Sequence, residues 1–457
     1  MNFTVELPQI PNEEYNIIDF GAVNGGTVSN TEAINNAIVK AHENGGGRVV
    51  VPAGVWLTGP IELKSNIDLH VETGAILLFS KNKEEYPLYM SDYEGMETIR
   101  ATSPIHAENA SNISITGSGT IDGNGQLWRP VKQFKMTNKQ WEALLKKSPY
   151  TVTANDGEIW LPTQTSLKGF QLSVNDAKAL EDIKTAKECW DFYRPVLVRL
   201  YQCDHILIEN ITLQNSPAWN VHPCFCKHIT IRNAKIRNPY YAQNGDGLDL
   251  ESCQYAHIHD TTFDVGDDAI CMKSGKGAKA RQIQVPTEYV SIHDCTVYHG
   301  HGGFVVGSEM SRGVRNIEVK NCSFIGTDVG IRFKSALGRG GVVEDITLED
   351  IQMSNIEKEA IIFTMGYVLD YREEKQSALK VNPNDIPYFK NITMKRITCN
   401  GAETGLKVEG IDMDSLETED KTPVIDHIVL EDSMITAKTE TRIEYAGEVK
   451  LNQVVFG

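Results

Sequence analysis

The chain has 457 residues, more than one compact domain usually holds, so it forms either several domains or one repetitive architecture. Its formal net charge of −17 argues against nucleic acid or an anionic membrane as a partner, because either would need a basic face. No run of about eighteen apolar residues could span a bilayer, which predicts a soluble protein. The oligomeric state stays open.

Two features bear on the cellular compartment. Segment 1–15 carries three glutamates and lacks a basic region followed by an apolar one, so it has no secretory signal pattern. We expect a cytoplasmic protein, or a periplasmic or secreted one whose signal was removed. The nine cysteines are an odd number, and Cys224 with Cys226 has no second pair of metal ligands nearby. Reduced, buried thiols are therefore expected.

The first predicted element is a short amphipathic helix from Ser29 to Asn44. Ser29-x-x-Glu32 is a capping-box pattern, and three glycines after Asn44 end the helix. Apolar residues follow at helical spacing, namely Ala33, Ile34, Ala37, Ile38 and Ala41. We expect this helix to cover the exposed end of the fold, with residues 1–66 forming an N-terminal cap and the first coil.

The second predicted element is a helical insertion at residues 126–190. Helices are expected at Thr137–Lys147 and Val174–Glu188. Four of the six tryptophans lie in this insertion, namely Trp128, Trp141, Trp160 and Trp190. They either wall a sugar-binding cleft or pack in a small satellite core.

A nine-residue unit recurs along the second half of the chain. Residues 205–213 read as alternating apolar residues, a polar turn at Asn210 and a second short strand. Seven further copies follow, at intervals from 23 residues (205 to 228) to 46 residues (345 to 391). Asn or Asp holds the sixth position of every copy except the one with Arg396. Both residue types tolerate the left-handed conformation of a tight corner.

These intervals are typical of a right-handed parallel β-helix, in which successive coils lie roughly 4.8 Å apart. The sequence therefore predicts an all-β solenoid that occupies residues 1–457 as one domain, with the catalytic coils at 199–440. A β-sandwich or a propeller is less favoured, because hairpin signals such as Asn-Gly do not recur between adjacent apolar runs.

Acidic residues cluster in two places, NGDGLD at 244–249 and GDDA at 266–269. Asp246 and Asp267 are 21 residues apart (246 to 267), which is close to one coil, so their carboxylates would project from neighbouring coils. Like charges held close together raise one pKa, which gives a protonated acid beside an ionised base. Cleavage of a glycosidic bond needs such a pair.

The surrounding acids separate into two groups. We expect Asp267 and Asp268 to be functional, because two adjacent acids in an apolar run are costly to bury without a purpose. We interpret Asp249 as a corner carboxylate like three others, Asp260, Asp294 and Asp350.

Two later motifs add an imidazole and a basic patch. GHGG at 300–303 places His301 between glycines that would let a ligand approach. IRFK at 331–334 puts Arg332 and Lys334 on one face, where they could bind a sugar carboxylate and overcome the negative net charge. Three other cations could add to this patch, namely Arg312, Arg339 and Lys273. Solvated or turn positions are expected for four other histidines, His222, His257, His293 and His299.

Together these motifs resemble glycoside hydrolase family 28, the polygalacturonases and their relatives. The similarity begins with IIDFGAV at 17–23 and GGGRVVVPAG at 45–54. Four motifs then follow in the family's order, as Asn244-Gly245-Asp246, Gly266-Asp267-Asp268, Gly300-His301-Gly302 and Arg332-Phe333-Lys334. Gly245 and Phe333 replace the usual threonine and isoleucine, and neither change removes a charged group.

The resemblance implies inverting hydrolysis without a metal or other cofactor. It assigns Asp267 as the general acid, Asp246 and Asp268 as the activators of water, and His301 as a support of the acid. The implied substrate-binding residues are Arg332 and Lys334, and further candidates are Asn244, Arg312 and Lys273.

The segments at 285–288, 307–311 and 338–341 are similar to bacterial exo-acting members, which release single sugars from a chain end. We therefore predict exo-hydrolysis of α-1,4-galacturonosyl linkages in a pectic oligosaccharide or polysaccharide. Three alternatives remain open: hydrolysis directed at rhamnogalacturonan, calcium-assisted elimination as in pectate lyases, and a non-catalytic β-helix that binds glycans.

Overall fold

The computed structural model describes residues 3–154, 157–367 and 382–457, and it shows the predicted right-handed parallel β-helix. Three long parallel sheets, A, B and C, contain 13, 12 and 11 strands, and each complete coil passes through them in that order. The strands of sheet A are Glu14–Asn16, Gly47–Val51, Ile67–Val71, Ser111–Thr116, Asp204–Glu209, Lys227–Arg232, Gln254–His259, Thr287–His293, Val314–Lys320, Val342–Glu349, Tyr388–Lys395, Ile425–Glu431 and Val449–Asn452.

The other two sheets complete the coils. The strands of sheet B are Gly54–Thr58, Ala75–Phe79, Thr120–Asp122, Thr212–Gln214, Lys235–Arg237, Thr262–Asp264, Thr296–Val297, Ser323–Ile325, Gln352–Ser354, Thr398–Asn400, Met434–Thr436 and Val455–Phe456. The strands of sheet C are Ile61–Glu62, Ile105–Glu108, Val198–Tyr201, Val221–Cys224, Leu248–Glu251, Asp268–Lys273, Gly300–Gly307, Thr327–Lys334, Glu359–Thr364, Thr404–Glu409 and Thr439–Glu444.

The nine-residue unit corresponds to a sheet A strand, a corner and a sheet B strand. The predicted corner residues are all left-handed, with φ of 61° at Asn210, 50° at Asp260 and 56° at Asp350. Arg396, the exception in sequence, has the same conformation with φ of 52°. The first residue of each unit is left-handed as well, a regularity that the sequence pattern did not reveal: His205, His228, Tyr255, Tyr289, Asn316, Asp345, Asn391 and His427.

The core fills the cylinder between the three sheets. Phe333 lies inside it and stacks on Phe363 with ring centroids 4.6 Å apart. The middle residue of the RFK motif therefore serves the core, while its two charged neighbours lie on the other face of the strand. All nine cysteines are buried and free, as predicted.

A helix covers the N-terminal end of the cylinder, as expected. Helix α1 spans Thr31–Glu43, and its five predicted apolar residues are buried. The predicted capping box is wrong, because the N-cap is Asn30. The Asn30 side chain instead bonds neighbouring backbone groups, including the amide of Val23 at 2.6 Å and the carbonyl of Leu57, in the first strand of sheet B, at 3.1 Å.

The insertion at 126–190 contains helices and a small antiparallel sheet. Helix α2 spans Asn138–Lys147 behind a capping box of Thr137 and Gln140, in agreement with the prediction. The second predicted helix was misplaced. Helix α3 spans Gln164–Asn175 and ends where that helix should begin, and a 3-10 turn at Ala177–Glu181 separates it from helix α4 at Ile183–Lys187. The strands of the small sheet are Val131–Lys132, Thr151–Ala154 and Gly157–Trp160.

The four tryptophans of the insertion pack in satellite cores. Trp128 is buried edge-on against Tyr86 at 5.4 Å between ring centroids, with Trp190 beside it. Trp141 and Trp160 form a second small core with Val131. The packing interpretation is therefore confirmed, and the tryptophan wall of a cleft is not observed.

A β-hairpin, Leu88–Tyr93 and Met96–Ala101, lies over the outer face of sheet C. Tyr93 packs against Trp219 with ring centroids 4.4 Å apart and the ring planes tilted by 36°, and Asp92 forms an ion pair with Arg199 at 2.8 Å. A short helix, α5, spans Gly277–Ala280 near the hairpin tip. None of the helices in the described part of the chain is long and apolar enough to cross a bilayer.

Candidate active site

Three carboxylates meet on the outer face of sheet C. Asp246 precedes one strand, and Asp267 and Asp268 stand at the start of the next, so coil stacking brings them together as expected. One oxygen from each lies within 4.8 Å of the others. Asp246 and Asp268 are buried, whereas Asp267 is partly exposed.

Cations hold Asp268 on one side. The Lys334 ammonium donates to Asp268 Oδ2 at 2.7 Å, and an Arg332 guanidinium nitrogen lies 3.8 Å from Oδ1. Oδ1 of Asp246 and Oδ1 of Asp268 are buried and have no hydrogen-bond partner among the described residues. Buried acceptors of this kind usually bind water or a ligand.

His301 holds Asp267 on the other side. Its Nδ1 lies 3.1 Å from Asp267 Oδ1, which also accepts the amide of Asp268 at 3.1 Å. The glycines that flank His301 allow this close approach of two coils. A Cβ at Gly300 would lie 2.8 Å from the carbonyl oxygen of Asp267, and one at Gly302 would lie 3.3 Å from Asp268 Oδ1.

The environment separates the protonation of the acids. Burial, reinforced by neighbouring Asp249 and Asp267, raises the pKa of Asp246 well above its usual range. Burial also opposes the charge on Asp267, but His301, Lys334 and Lys135 together outweigh burial and lower its pKa. The two pKa shifts have opposite directions, so the surroundings favour the neutral carboxyl at Asp246 and the carboxylate at Asp267.

A groove of about 1830 Å³ opens beside this cluster. Asp267, His301 and Arg332 line it, whereas Asp246 and Asp268 lie behind them. The insertion at 126–190 forms one wall of the groove. Tyr367 also lines it, and the centroid of the Tyr367 ring lies 4.7 Å from the ammonium of Lys334.

Three predicted substrate-binding residues lie outside the lining of this groove. Lys273 is buried in an ion pair with Glu309 at 2.9 Å. Arg312 donates to the carbonyl of Ala280 at 3.0 Å and lies 3.6 Å from the carboxylate of Glu251. The Asn244 side-chain oxygen accepts a hydrogen bond from Arg194 at 2.8 Å. The three side chains therefore contact other protein groups and do not line the groove.

Arg332 and Lys334 lie on one face of their strand, as predicted, and both contact Asp268 and Tyr367. Lys334 is buried against Asp268, so only Arg332 of the pair reaches the groove. Arg339, considered for the same patch, is buried too. Among the residues that the structure describes, five Lys and Arg residues and six Asp and Glu residues line the groove, namely Lys132, Lys135, Arg237, Arg332 and Lys358, and Asp122, Asp264, Asp267, Asp328, Glu357 and Glu359.

Two polar residues assigned to corners or solvent are buried in strands instead. Asp249 lies inside the strand Leu248–Glu251, where burial raises its pKa and Lys273, 3.6 Å away, partly opposes that effect. His222 is buried and bonds Glu251 at 3.0 Å. Both belong to the part of sheet C that the hairpin covers, which the repeat pattern did not predict.

Of the remaining three histidines, one occupies the expected solvated or turn position and two lie on strands. His257 and His293 lie on sheet A strands, partly buried, with their Nε2 atoms 2.7 Å apart, so neither is a turn residue. His299 is exposed at the groove and bonds Asp264 at 2.8 Å, in agreement with a solvated position.

Three groups of side chains in the described ranges have the spacing of metal ligands. They are the catalytic trio, the partly buried Asp204, His205 and His228, and the buried His222, Cys224 and Glu251. Lys334 and Arg332 already supply positive charge to the trio. Arg312 lies 3.6 Å from Glu251 in the third group. These cations disfavour a divalent ion at both places.

Sequence reasoning missed two residues at the groove. Lys135 comes from the insertion and approaches His301 to 3.0 Å. Tyr367 follows the strand Glu359–Thr364 and packs on the two cations of the RFK motif. Neither lies in a motif, and their distance from the carboxylates in sequence left no signal.

A parallel β-helix with a carboxylate trio, an imidazole and a guanidinium at one groove defines a glycoside hydrolase. The family model of Glycosyl hydrolases family 28 matches residues 179–445. The chain belongs to glycosyl hydrolase family 28.

Individual proteins agree with this membership. The chain is 29% identical over 419 residues to an exo-poly-alpha-D-galacturonosidase of Dickeya chrysanthemi, covering 89% of this chain and 65% of that protein. It is 28% identical to a probable polygalacturonase of Vitis vinifera, covering 87% of this chain and 71% of the relative. A hyperthermoactive exopolygalacturonase structure from Thermotoga maritima is 31% identical, with a TM-score of 0.80, and the match covers 99% of this chain and 94% of that one.

Proposed function

We propose that the protein hydrolyses α-1,4-galacturonosyl linkages in pectic oligosaccharides or polysaccharides and releases galacturonate from a chain end. The observation that carries this proposal is the meeting of Asp246, Asp267 and Asp268 within 4.8 Å beside an open groove. The names of the Dickeya and Thermotoga relatives, both exo-acting on galacturonan, support the substrate class.

Each side chain has a role that its position supports. Asp267 lines the groove, and its Oδ1 already accepts two donors, so Oδ2 is the oxygen that would protonate the glycosidic oxygen. Asp246 and Asp268 each offer an unpartnered oxygen that can accept a proton from the attacking water. Because the surroundings favour the neutral form of Asp246 and the ionised form of Asp267, Asp267 has to take up a proton before cleavage, and Asp246 is the proposed donor of that proton. Attack from the opposite face would invert the anomeric centre.

Exo action is supported by the hairpin Leu88–Ala101. It covers the outer face of sheet C on the coils that precede the carboxylates, where Arg199, His222 and Glu251 would otherwise face solvent. A Cβ at Gly95 would lie 2.5 Å from the amide of Lys276, so the hairpin tip is tightly seated. The hairpin therefore keeps a sugar chain from running across this part of sheet C. The insertion at 126–190 forms a side wall of the groove.

The test is a product profile on tri- and tetragalacturonate with the Asp267→Asn variant beside the wild type. We expect monomer from the outset, and a loss of about 10³-fold in kcat for the variant, which cannot donate a proton. Asp260→Asn is the matched control, since Asn occupies the same corner position in other coils. Mixed oligomers would mean endo action, and an ultraviolet-absorbing unsaturated product would mean elimination. No turnover would move the substrate to branched pectin or refute hydrolysis.

A further inference from the structure

The insertion at 126–190 places one ammonium group against the catalytic imidazole. Lys135 ends a 3-10 turn at Gln133–Lys135, half-buried on the groove wall. Its Nζ lies 3.0 Å from His301 Nε2, 3.2 Å from the carbonyl of Gly266 and 3.4 Å from the carbonyl of Tyr240. A lysine ammonium has three N–H donors and no acceptor. The three neighbours can therefore take all of its donors.

This geometry determines the form of His301. Nε2 faces an ammonium that can only donate, so Nε2 must be the acceptor and carries no proton. The ring proton then lies on Nδ1, which is 3.1 Å from Asp267 Oδ1 and donates to it. A second proton on Nε2 would place two N–H groups and two cations face to face.

From these contacts we propose that Lys135 is a positioning residue that holds His301 as the neutral Nδ1–H tautomer. Its saturated donors leave none for a substrate carboxylate, which distinguishes it from Arg332. The proposal rests on the proposed function for its catalytic meaning, but the tautomer itself is a property of the empty protein.

The tautomer matters because His301 controls the acid. His301 lowers the pKa of Asp267 against the effect of burial, and a cationic imidazole would hold that carboxyl ionised most strongly. A neutral imidazole contributes only its Nδ1–H bond, so Asp267 can take up the proton that cleavage needs. Through Lys135 and His301, the insertion at 126–190 thereby influences the protonation of Asp267.

Other charged groups near the imidazole also influence whether Nε2 carries a proton. Asp328, on the next coil, lies 3.8 Å from Nε2 and favours a cation there. Lys358 lies 3.8 Å from Asp328 and partly neutralises it. Asp267 faces Nδ1, and Arg332 lies farther along the same groove wall. Lys135 is the closest of these groups to Nε2, which is why its removal is decisive.

The direct test is NMR of protein labelled with ¹⁵N-histidine, with His301 assigned by the signals lost in His301→Asn. In the wild type at neutral pH we expect the ¹⁵N signals of a neutral ring with its proton on Nδ1 and none on Nε2. In Lys135→Met, where this donor no longer faces Nε2, we expect signals of a ring that carries a proton on Nε2. Identical His301 signals in both proteins would overturn the proposal. This readout needs no turnover, so it is independent of the proposed substrate.

Kinetics provide the second readout. We expect the acidic limb of kcat/KM to move up by about one pH unit in Lys135→Met, which is about tenfold in activity on that limb. Lys135→Arg keeps the positive charge, so its pH profile should stay close to that of the wild type. This variant keeps the proposal testable if Lys135→Met folds poorly. Lys146→Met, an exposed lysine of the same insertion, should leave the profile unmoved. A rise in KM with no shift of the limb would make Lys135 a substrate-binding residue and refute the positioning role.

Discussion

At the scale of single residues, buried charges behind the groove stabilise the coils that carry the carboxylates. Glu309 and Lys273 form such a pair, both almost fully buried and 2.9 Å apart. Burial opposes the charge of Glu309, but Lys273 and Lys334 outweigh it and lower its pKa to about 2. The Lys273 ammonium, predicted to bind substrate, is thus engaged within the protein.

We predict that Glu309→Gln lowers the free energy of unfolding by about 3 kcal/mol near neutral pH, because it leaves Lys273 with a weaker partner. The pKa of Glu309 in the folded protein lies below its unfolded value of 4.5, so the stability advantage of the wild type is complete above about pH 4.5. It is lost as the pH falls towards about 2. Urea unfolding at several pH values measures this difference.

The control for this prediction is an exposed ion pair. Glu403→Gln removes the partner of Lys438 on the surface and should change stability by less than about 1 kcal/mol. A difference between wild type and Glu309→Gln that stays constant down to about pH 3 would contradict the assignment of the lowered pKa.

At the scale of elements, the corner between sheets A and B is the repeated local structure. Asn233 has φ of 51° at such a corner, with its side chain exposed. We predict that Asn233→Ala costs about 1 kcal/mol of stability, because an alanine Cβ disfavours the left-handed conformation. Lys235→Ala, two residues further in an extended strand, should cost less than about 0.5 kcal/mol. Equal losses would mean that exposure, and not backbone conformation, sets the cost.

The same regularity explains what could be predicted from the sequence. Sheets A and B follow a nine-residue pattern, so their strands and corners were predictable from apolar alternation and Asn or Asp. Sheet C follows loops of variable length, so its strands were not placed, and Asp249 was misread as a corner. The motif acids were predictable because one coil separates them. Contacts made by the hairpin and by Lys135 depend on where long insertions fold back, which no periodicity encodes.

At the scale of the whole molecule, charge opposes the proposed substrate. The chain has a net charge of −17, and the described part of the groove lining holds five cationic and six acidic side chains. The sequence predicts a local basic cluster that overcomes this negative field, but the described lining is close to neutral. We therefore expect recognition of a uronate to depend on short contacts, with Arg332 as the proposed partner, and not on long-range attraction.

This arrangement predicts the sign of a salt effect. Raising NaCl from about 10 mM to about 150 mM shortens the Debye length from about 30 Å to about 8 Å, which screens the repulsion between the protein and an anionic oligosaccharide. We expect kcat/KM on trigalacturonate to rise roughly two- to fivefold, because encounter becomes easier while contacts inside the groove are screened less. The kcat at saturating substrate is the internal control and should stay constant. If kcat/KM instead fell with salt, cations at the groove would dominate the field that the substrate meets, despite the negative net charge.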